Sequence, residues 1–321
     1  MGAPDVSVII PTKDRPEWLA RAVSSVARQE NIVAELLVVD DGSRRPVPGD
    51  FPGPQAITMQ VLRHSSSQGQ ARARNAGIAA ARGRWVAFHD DDDLWSPQKL
   101  HMVVNAAERA GTTFAYSDGV VVDARGTVLS ASPAPTATGS ALHRLLLQSN
   151  VIPCGSSNIV CRADVARYLG GFDEDLSTVV DWDFNIRLAA NETGVAVREP
   201  LVAYTVHADN AHLDERSAFA DLGRLEAKHA VARLHAGVDI DREWWLKWRA
   251  STHRASGDRR RAASAYIRLG ARQRDASLVA RGVVLGLAGP GPLRVARRLR
   301  PAPGPSSRPG WLDLFAPVAS C

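Results

Sequence analysis

Short apolar runs rich in β-branched residues alternate with helical patterns over about the first ninety residues, and that alternation constrains the fold more than any other feature. Val6-Ser7-Val8-Ile9-Ile10 is nearly continuous in apolar character, as a strand buried on both faces must be. Pro11-Thr12-Lys13-Asp14-Arg15-Pro16 breaks it, and Glu17 to Gln29 carries helical spacing through Leu19, Ala22, Val23 and Val26. Glu35 to Val39 predicts a second strand, ending at the turn signature Asp40-Asp41-Gly42-Ser43. Thr58 to Leu62 predicts a third, Gly69 to Ala81 a helix stopped by Gly83, and Arg84 to Phe88 a fourth strand. Such an order predicts a doubly wound α/β sheet. Ligands of these sheets bind beyond the carboxyl ends of the strands, where Pro11-Thr12, Asp40-Asp41 and the run starting at Asp90 all fall.

That run is Phe88-His89-Asp90-Asp91-Asp92-Asp93-Leu94-Trp95. Four adjacent carboxylates at a strand end repel one another unless a positive group neutralises them. A divalent cation carrying a diphosphate would do so, and Asp oxygens suit Mg²⁺ or Mn²⁺. The alternative is a solvated acidic turn leading into the helix that starts near Ser96-Pro97.

Farther on, Thr113 to Asp118 predicts a strand followed by a hairpin through Val120-Val121-Val122 and Val128-Leu129. The polar loop from Ser130 to Ser140 is long enough for a mobile lid or a tolerated insertion. Helical patterns cover Ala141 to Gln148, Ala163 to Leu169 and Asp181 to Ala190, while Asn158 to Cys161 and Ala196 to Tyr204 read as extended. From about Ala218 only helices are expected, over Glu226 to His235, Arg242 to Ser256, Arg259 to Gln273 and Ala276 to Leu287. Past Pro301 the Pro/Gly/Ser-rich tail is expected to be disordered. The organisation read from this is an α/β domain over 1–215, a basic helical region over 216–300 and a disordered tail over 301–321.

With 45% hydrophobic and 23% charged residues in 321, the chain is globular rather than disordered. Its N-terminus runs straight into a strand pattern, so no signal peptide is expected, and no apolar stretch is long enough for a bilayer span. Three cysteines without metal-type spacing fit a reducing cytoplasm. The net charge of +5 hides an asymmetry: arginines crowd Arg242 to Arg308. Leu285, Leu287, Leu293, Val295 and Leu299 interleave there with Arg294, Arg297, Arg298 and Arg300, which suits either an interfacial helix on anionic lipid at the inner face of a membrane or a solvated helix face.

Taken in order, these motifs resemble the family 2 inverting glycosyltransferases, whose fold is called GT-A (Rossmann-like, a mixed and mostly parallel sheet flanked by helices). The matching residues are Val6 to Thr12, Val38 to Ser43, Ala73 to Ile78 with Gly83, the Asp-x-Asp motif within Phe88 to Trp95, Gly170 to Glu174 and Asp181 to Ala189. The resemblance covers roughly residues 5 to 210. It implies transfer of a sugar from a nucleoside-diphosphate donor, a UDP-sugar by family expectation, to an acceptor hydroxyl in polysaccharide, glycolipid or glycoconjugate synthesis. The acceptor would be a sugar, a lipid-linked sugar or a small molecule, and no nucleic acid partner is expected.

On the residues, the resemblance implies that Asp41 accepts hydrogen bonds from the nucleobase, with Pro11 and Thr12 shaping the base pocket. Asp90 would face the ribose, Asp91 would take the variable middle position, and Asp92 would coordinate Mn²⁺ or Mg²⁺. Arg74 and Asn75 either reach the nucleotide or brace the sheet. Asp181 stands where the family carries its general base. The Glu that usually precedes this base is replaced by Val180, and Asp183 is the fallback. His207 either completes the metal shell or lies on the surface. Gly171, Phe172, Asp173 and Glu174 would line the pocket for donor sugar and acceptor, and Trp95 and Trp182 either stack on sugars or belong to the core. Asp93 is expected to cap the helix near Ser96-Pro97. Two rival readings stand beside this one. A nucleotidyltransferase would need a Gly-rich loop after the first strand, and the chain has none there. A non-catalytic scaffold would keep the fold and bind anionic surfaces through the arginines.

Overall fold

A computed structural model describes residues 3–49, 57–207, 215–287 and 308–315. The predicted strands form as β1 (Val6–Thr12), β2 (Ala34–Asp40), β3 (Thr58–Arg63) and β4 (Trp85–Phe88), parallel in the order β3-β2-β1-β4. The sheet then turns mixed. After β5 (Leu94–Trp95), β6 (Phe114–Asp123) and β7 (Val128–Ser132), strand β8 (Val160–Arg162) inserts antiparallel between β4 and β6. Strand β9 (Gly194–Val206) runs parallel to β6, β5 pairs antiparallel with β9, and β7 extends β6 as a hairpin.

The continuous apolar runs are explained by helices on both faces. Ile9, Leu37, Val39 and Phe88 belong to one core cluster, with α2 (Gln70–Ala80), α4 (Gly139–Gln148) and α6 (Val180–Asn191). Val8, Ile10, Leu36 and Val38 belong to the other, with α1 (Pro16–Ala27) and α3 (Lys99–Ala110). Successive residues of a strand therefore feed opposite cores, so no polar alternation survives. Gly77 in α2 has a packing reason: a Cβ there would stand 2.4 Å from the Ile9 side chain. Only glycine lets this helix approach β1 so closely.

Register decides where the motifs meet. Thr12 pairs with Asp40, and Ile9 with Phe88. The segments after β1, β2 and β4 thus leave the sheet along one edge, as the sequence predicts.

Several expectations are corrected. Asp93 does not cap α3: it is fully buried, its Oδ1 accepts from Thr205 N at 2.9 Å, and Gln98 precedes the helix without a side-chain cap. The stretch from Ser130 to Ser140 is not a free lid, because β7 takes its first residues and Asp118 Oδ1 holds Ala134 N at 2.7 Å. The helix expected over Glu226 to His235 is two helices, α7 (Glu215–Lys228) and α8 (Ala230–Ala236), which follow the short α5 (Ala163–Tyr168) and α6 in the chain. They break at His229, whose ring bonds Asp183 Oδ1 at 2.8 Å.

Helices α9 (Arg242–Ala255), α10 (Arg259–Gln273) and α11 (Ala276–Leu287) complete the described C-terminal part. Asp241 and Asp258 cap α9 and α10 by accepting from Trp244 N and Arg261 N, as short acidic residues do at helix starts. Trp245 and Leu246 of α9 join the same core cluster as α6. The expectation of a disordered tail fails for 308–315. There Leu312 is 1% exposed against Leu94, Val120 and Ala203, and Trp311 Nε1 donates to Pro200 O at 3.0 Å. Two apolar side chains outweigh the Pro/Gly-rich composition around them. Leu293, Val295, Leu299 and their neighbouring arginines lie outside the described residues, as does the rest of the tail. No described helix is long and apolar enough to cross a membrane.

Candidate active site

A cavity of about 1160 Å³ opens at the carboxyl edge of β1 and β4. Pro11, Thr12, Asp41, Arg74, Asp90, Asp91, Asp92 and Asp181 all line it, so residues from five segments distant in sequence meet in one space.

The aspartate run is held residue by residue. Asp90 N donates to Ser157 Oγ at 2.9 Å, and its Oδ1 accepts from Arg74 Nη2 at 2.5 Å and Ser156 Oγ at 3.1 Å. Asp91 accepts from Thr12 Oγ1 at 2.6 Å and from Arg15 Nη1 at 3.2 Å. The same guanidinium reaches Asp92 Oδ2 at 3.0 Å, and His207 Nε2 lies 2.9 Å from that oxygen. His207 is buried, not superficial, and stacks on Trp18 at 4.4 Å.

Charge is concentrated here beyond what these partners offset. Burial, reinforced by the Asp92 charge and opposed by Arg15, pushes Asp91 up to about 7. Burial with the Asp92 and Asp90 charges likewise raises Asp93 well above the carboxylate range. A bound cation would relieve this strain. Among the described residues no three His, Cys, Asp or Glu side chains converge into a ready-made metal shell. The carboxylate oxygens of Asp90, Asp91 and Asp92 in the cavity lining are hard donors of the kind that Mg²⁺ or Mn²⁺ takes one or two at a time, with phosphate oxygens completing the shell. His207 is within reach of the same oxygen rather than part of a closed cage.

Asp181 sits in the first turn of α6, half-buried, and is part of the cavity lining. Val179 precedes the helix without a side-chain cap, so Asp181 is not an ordinary capping residue. Its Oδ2 accepts from Asn150 Nδ2 at 2.9 Å. Gly155, at φ +54°, lies so close that a Cβ would stand 2.8 Å from that oxygen. Burial raises the Asp181 pKa, Arg74 opposes this, and Asp90 reinforces it. A carboxylate with a raised pKa, close to a cationic and acidic pair, is suited to accept a proton.

The fallback base is excluded by its surroundings. Asp183 is fully buried, on another face of α6, paired with Arg187 at 2.7 Å, Lys228 at 2.9 Å and His229 at 2.8 Å. Burial alone would raise its pKa, but His229, Arg187 and Lys228 together hold it far below the usual carboxylate range. A depressed folded pKa adds stability that is present above the unfolded value of about 3.9 and lost as pH falls. Asp183→Asn is expected to destabilise the fold by about 3–5 kcal/mol at neutral pH. The gap to the native protein should narrow below about pH 4 in denaturant titrations; a pH-independent gap would refute this role.

The other expected site residues differ in their surroundings. Asp41 is a loop brace: its two oxygens accept from His64, Ser67 Oγ, Gln68 N and Gly69 N at 2.8–2.9 Å. All four lone-pair directions are used, so a nucleobase would have to displace one of these donors. Asn75 braces rather than binds, exchanging hydrogen bonds with Phe172 N at 2.7 Å and Phe172 O at 2.9 Å. Gly171, at φ +68°, packs directly on Asn75, and Phe172 is 2% exposed, stacked on Phe184 at 4.5 Å. Neither lines the cavity. Asp173 pairs with Lys228 in a separate small hollow, whereas Glu174 does reach the cavity rim. Trp182 borders the cavity but is 2% exposed, with Nε1 donating to Leu146 O at 2.7 Å, so it offers no face to a sugar. Trp95 is fully buried, its Nε1 donating to Ser157 O at 2.8 Å.

Sequence reasoning gave no role to Arg15 or to Trp244 and Trp248 of α9, which line the cavity together with Asn150 and Ser156. For Arg15 a signal existed, a cation in the break after the first strand. For the others contact arises only through folding.

The family model described as "Glycosyl transferase family 2" matches residues 7–169. An uncharacterized glycosyltransferase of Bacillus subtilis, YwdF, is 27% identical over 237 residues, which cover 71% of this chain and 85% of that one. The pre-mycofactocin glycosyltransferase of Mycobacterium tuberculosis is 33% identical over 229 residues, covering 67% of this chain and 46% of the relative. This chain therefore spans less than half of that protein. Among solved structures, S. aureus TarS 1-349 in complex with UDP-GlcNAc superposes with a TM-score of 0.52 at 15% identity, over 86% of this chain and 89% of TarS. That level of identity speaks for the fold alone. The ordered motifs, the mixed sheet and the matched half of the sequence agree: the chain belongs to the family 2 glycosyltransferases and has their GT-A fold.

Proposed function

We propose that this glycosyltransferase moves a sugar from a nucleoside-diphosphate donor, a UDP-sugar in the first instance, to an acceptor hydroxyl with inversion at the anomeric carbon. The observation that carries this reading is the single cavity lined by Asp90, Asp91, Asp92, Arg74 and Asp181. The TarS complexes with UDP and UDP-GlcNAc support the donor class.

In this reading Asp92, with His207 beside it, would hold a divalent cation near the donor's diphosphate, while Asp90, steadied by Arg74 and Ser156, faces the ribose. Bound Mn²⁺ or Mg²⁺ supplies charge stabilisation for the departing nucleoside diphosphate. Thr12 and Arg15 fix the carboxylates so that little reorganisation is needed when the donor arrives. Asp181 takes the proton of the acceptor hydroxyl as its oxygen bonds to the anomeric carbon. The bond from that carbon to the diphosphate oxygen breaks, and the electron pair leaves with the nucleotide. Asn150 orients the Asp181 carboxylate for this.

Calorimetric titration of UDP with and without Mn²⁺, followed by nucleotide release from a donor panel, tests the reading. Metal-independent or absent binding of every nucleotide would refute it.

Contact with an anionic bilayer from the cytoplasmic side belongs to the same reading. On α11, Val283, Val284 and Leu287 are 43%, 55% and 83% exposed beside the exposed Arg281. Such mixing of apolar and basic groups favours the headgroup boundary. The full chain is expected to sediment with phosphatidylglycerol vesicles, and Val284→Asp with Leu287→Asp should lower the bound fraction about fivefold or more. Equal sedimentation of both proteins would count against it.

A further inference from the structure

The cavity has two chemically different ends. The end at Asp90–Asp92 is ionic. Elsewhere the lining gains apolar surface from Leu129, Pro133 and Val151 and from Trp244 and Trp248 of α9, with Ser130, Ser132 and Asn150 among them. Its volume of about 1160 Å³ exceeds the roughly 300–1000 Å³ of a site for one small ligand, so a donor leaves room to spare.

The two tryptophans are one helical turn apart and share a face. Their ring planes lie within 10° and their centroids 6.3 Å apart. Both are partly exposed to the cavity, unlike Trp245 between them, which is buried in the core. The Trp182 ring, adjacent in the chain to Asp181, meets Trp244 edge-on at 5.8 Å. The aromatic strip therefore starts beside the proposed base and runs outward along α9. Ser251 and Arg254 stand at its outer rim, and both are exposed.

We propose that α9 forms the acceptor subsite, and that the acceptor carries an apolar group, hydrocarbon or aromatic, attached to the portion bearing the reactive hydroxyl. The inference rests on the glycosyl-transfer reading given above. Ser130, Ser132 and Asn150 can bond the hydroxyls of the portion that reacts, whereas the paired indoles of Trp244 and Trp248 offer mainly ring surface, which hydroxyls alone would not match. Aromatic rings that share a cavity lining with proline and aliphatic side chains reward removal of apolar surface from water. On this view α9 completes the catalytic cavity although it lies beyond the family motifs.

The test compares methyl and hexyl β-D-glucopyranoside binding to the full chain by calorimetry, with UDP and Mn²⁺ titrated in parallel. The native protein is expected to bind the hexyl compound about tenfold or more tightly than the methyl one. Trp248→Ala should bring the two within about twofold, Trp248→Leu should keep most of the preference, and UDP affinity should be unchanged in both variants. Thermal unfolding checks that each variant is folded, and Trp244→Leu serves if Trp248→Ala is not. Equal affinity of the native protein for both glycosides, or an undiminished preference in Trp248→Ala, would overturn the proposal. Loss of UDP binding with the hexyl preference intact would instead fault the donor reading and leave the apolar subsite standing.

Discussion

Asp92→Asn is expected to lower sugar transfer by about 10²–10³-fold and to abolish the metal dependence of UDP binding. The substitution keeps the shape of a side chain wedged between Arg15 Nη1 at 3.0 Å and His207 Nε2 at 2.9 Å. What changes is charge. The oxygen that would take the cation becomes neutral, and Asp91 loses the neighbour that helps push its pKa up to about 7. The cluster then has less need of a bound cation, so donor affinity and turnover should fall together. Calorimetry and nucleotide release measure the two effects. Unchanged UDP affinity in the presence of Mn²⁺ would show that the diphosphate is held elsewhere.

Asp181→Asn should behave differently. Loss of the general base costs about 10²–10⁴-fold in kcat, while UDP affinity stays within about twofold because the side chain does not touch the diphosphate in the proposed arrangement. Asparagine can still meet Asn150, so the helix start should stay intact. A pH profile separates a base from a positioning residue. Only the ionised carboxylate accepts the proton, and burial together with Asp90 raises its pKa despite Arg74. Native kcat should therefore fall as pH is lowered through this raised value, above the ordinary carboxylic range of about 4. The residual activity of Asp181→Asn should lack that limb. A variant that retains it, or one weakened equally in UDP binding, would remove Asp181 from the role.

Much of the sheet was legible because burial on two faces writes itself directly into composition. A strand such as Val6–Thr12 feeds helices above and below, so nearly every residue is apolar, and the break that follows marks the carboxyl edge. Helices with one buried stripe were equally plain: Arg259–Gln273 and Ala276–Leu287 form as the spacing predicts. Polar residues were less legible, since an aspartate reads alike whether it binds a ligand or a backbone amide. Asp93 bonds a backbone amide of the chain itself, Asp41 lines the cavity while also bonding its own loop, and Gly171-Phe172 packs on Asn75 and Phe184 rather than in the pocket.

By itself, then, the sequence determined the α/β class, the strand edge at which ligands gather and the family. Each follows from local periodicity and from motifs a few residues long. Tertiary structure alone decided which carboxylates face the cavity, that Arg15 and His207 flank Asp92, that Asn150 steadies Asp181, and that tryptophans of α9 line the same space. The reason is physical. A side chain's role is set by the neighbours that desolvate and bond it, and here those neighbours come from elements far apart in the chain.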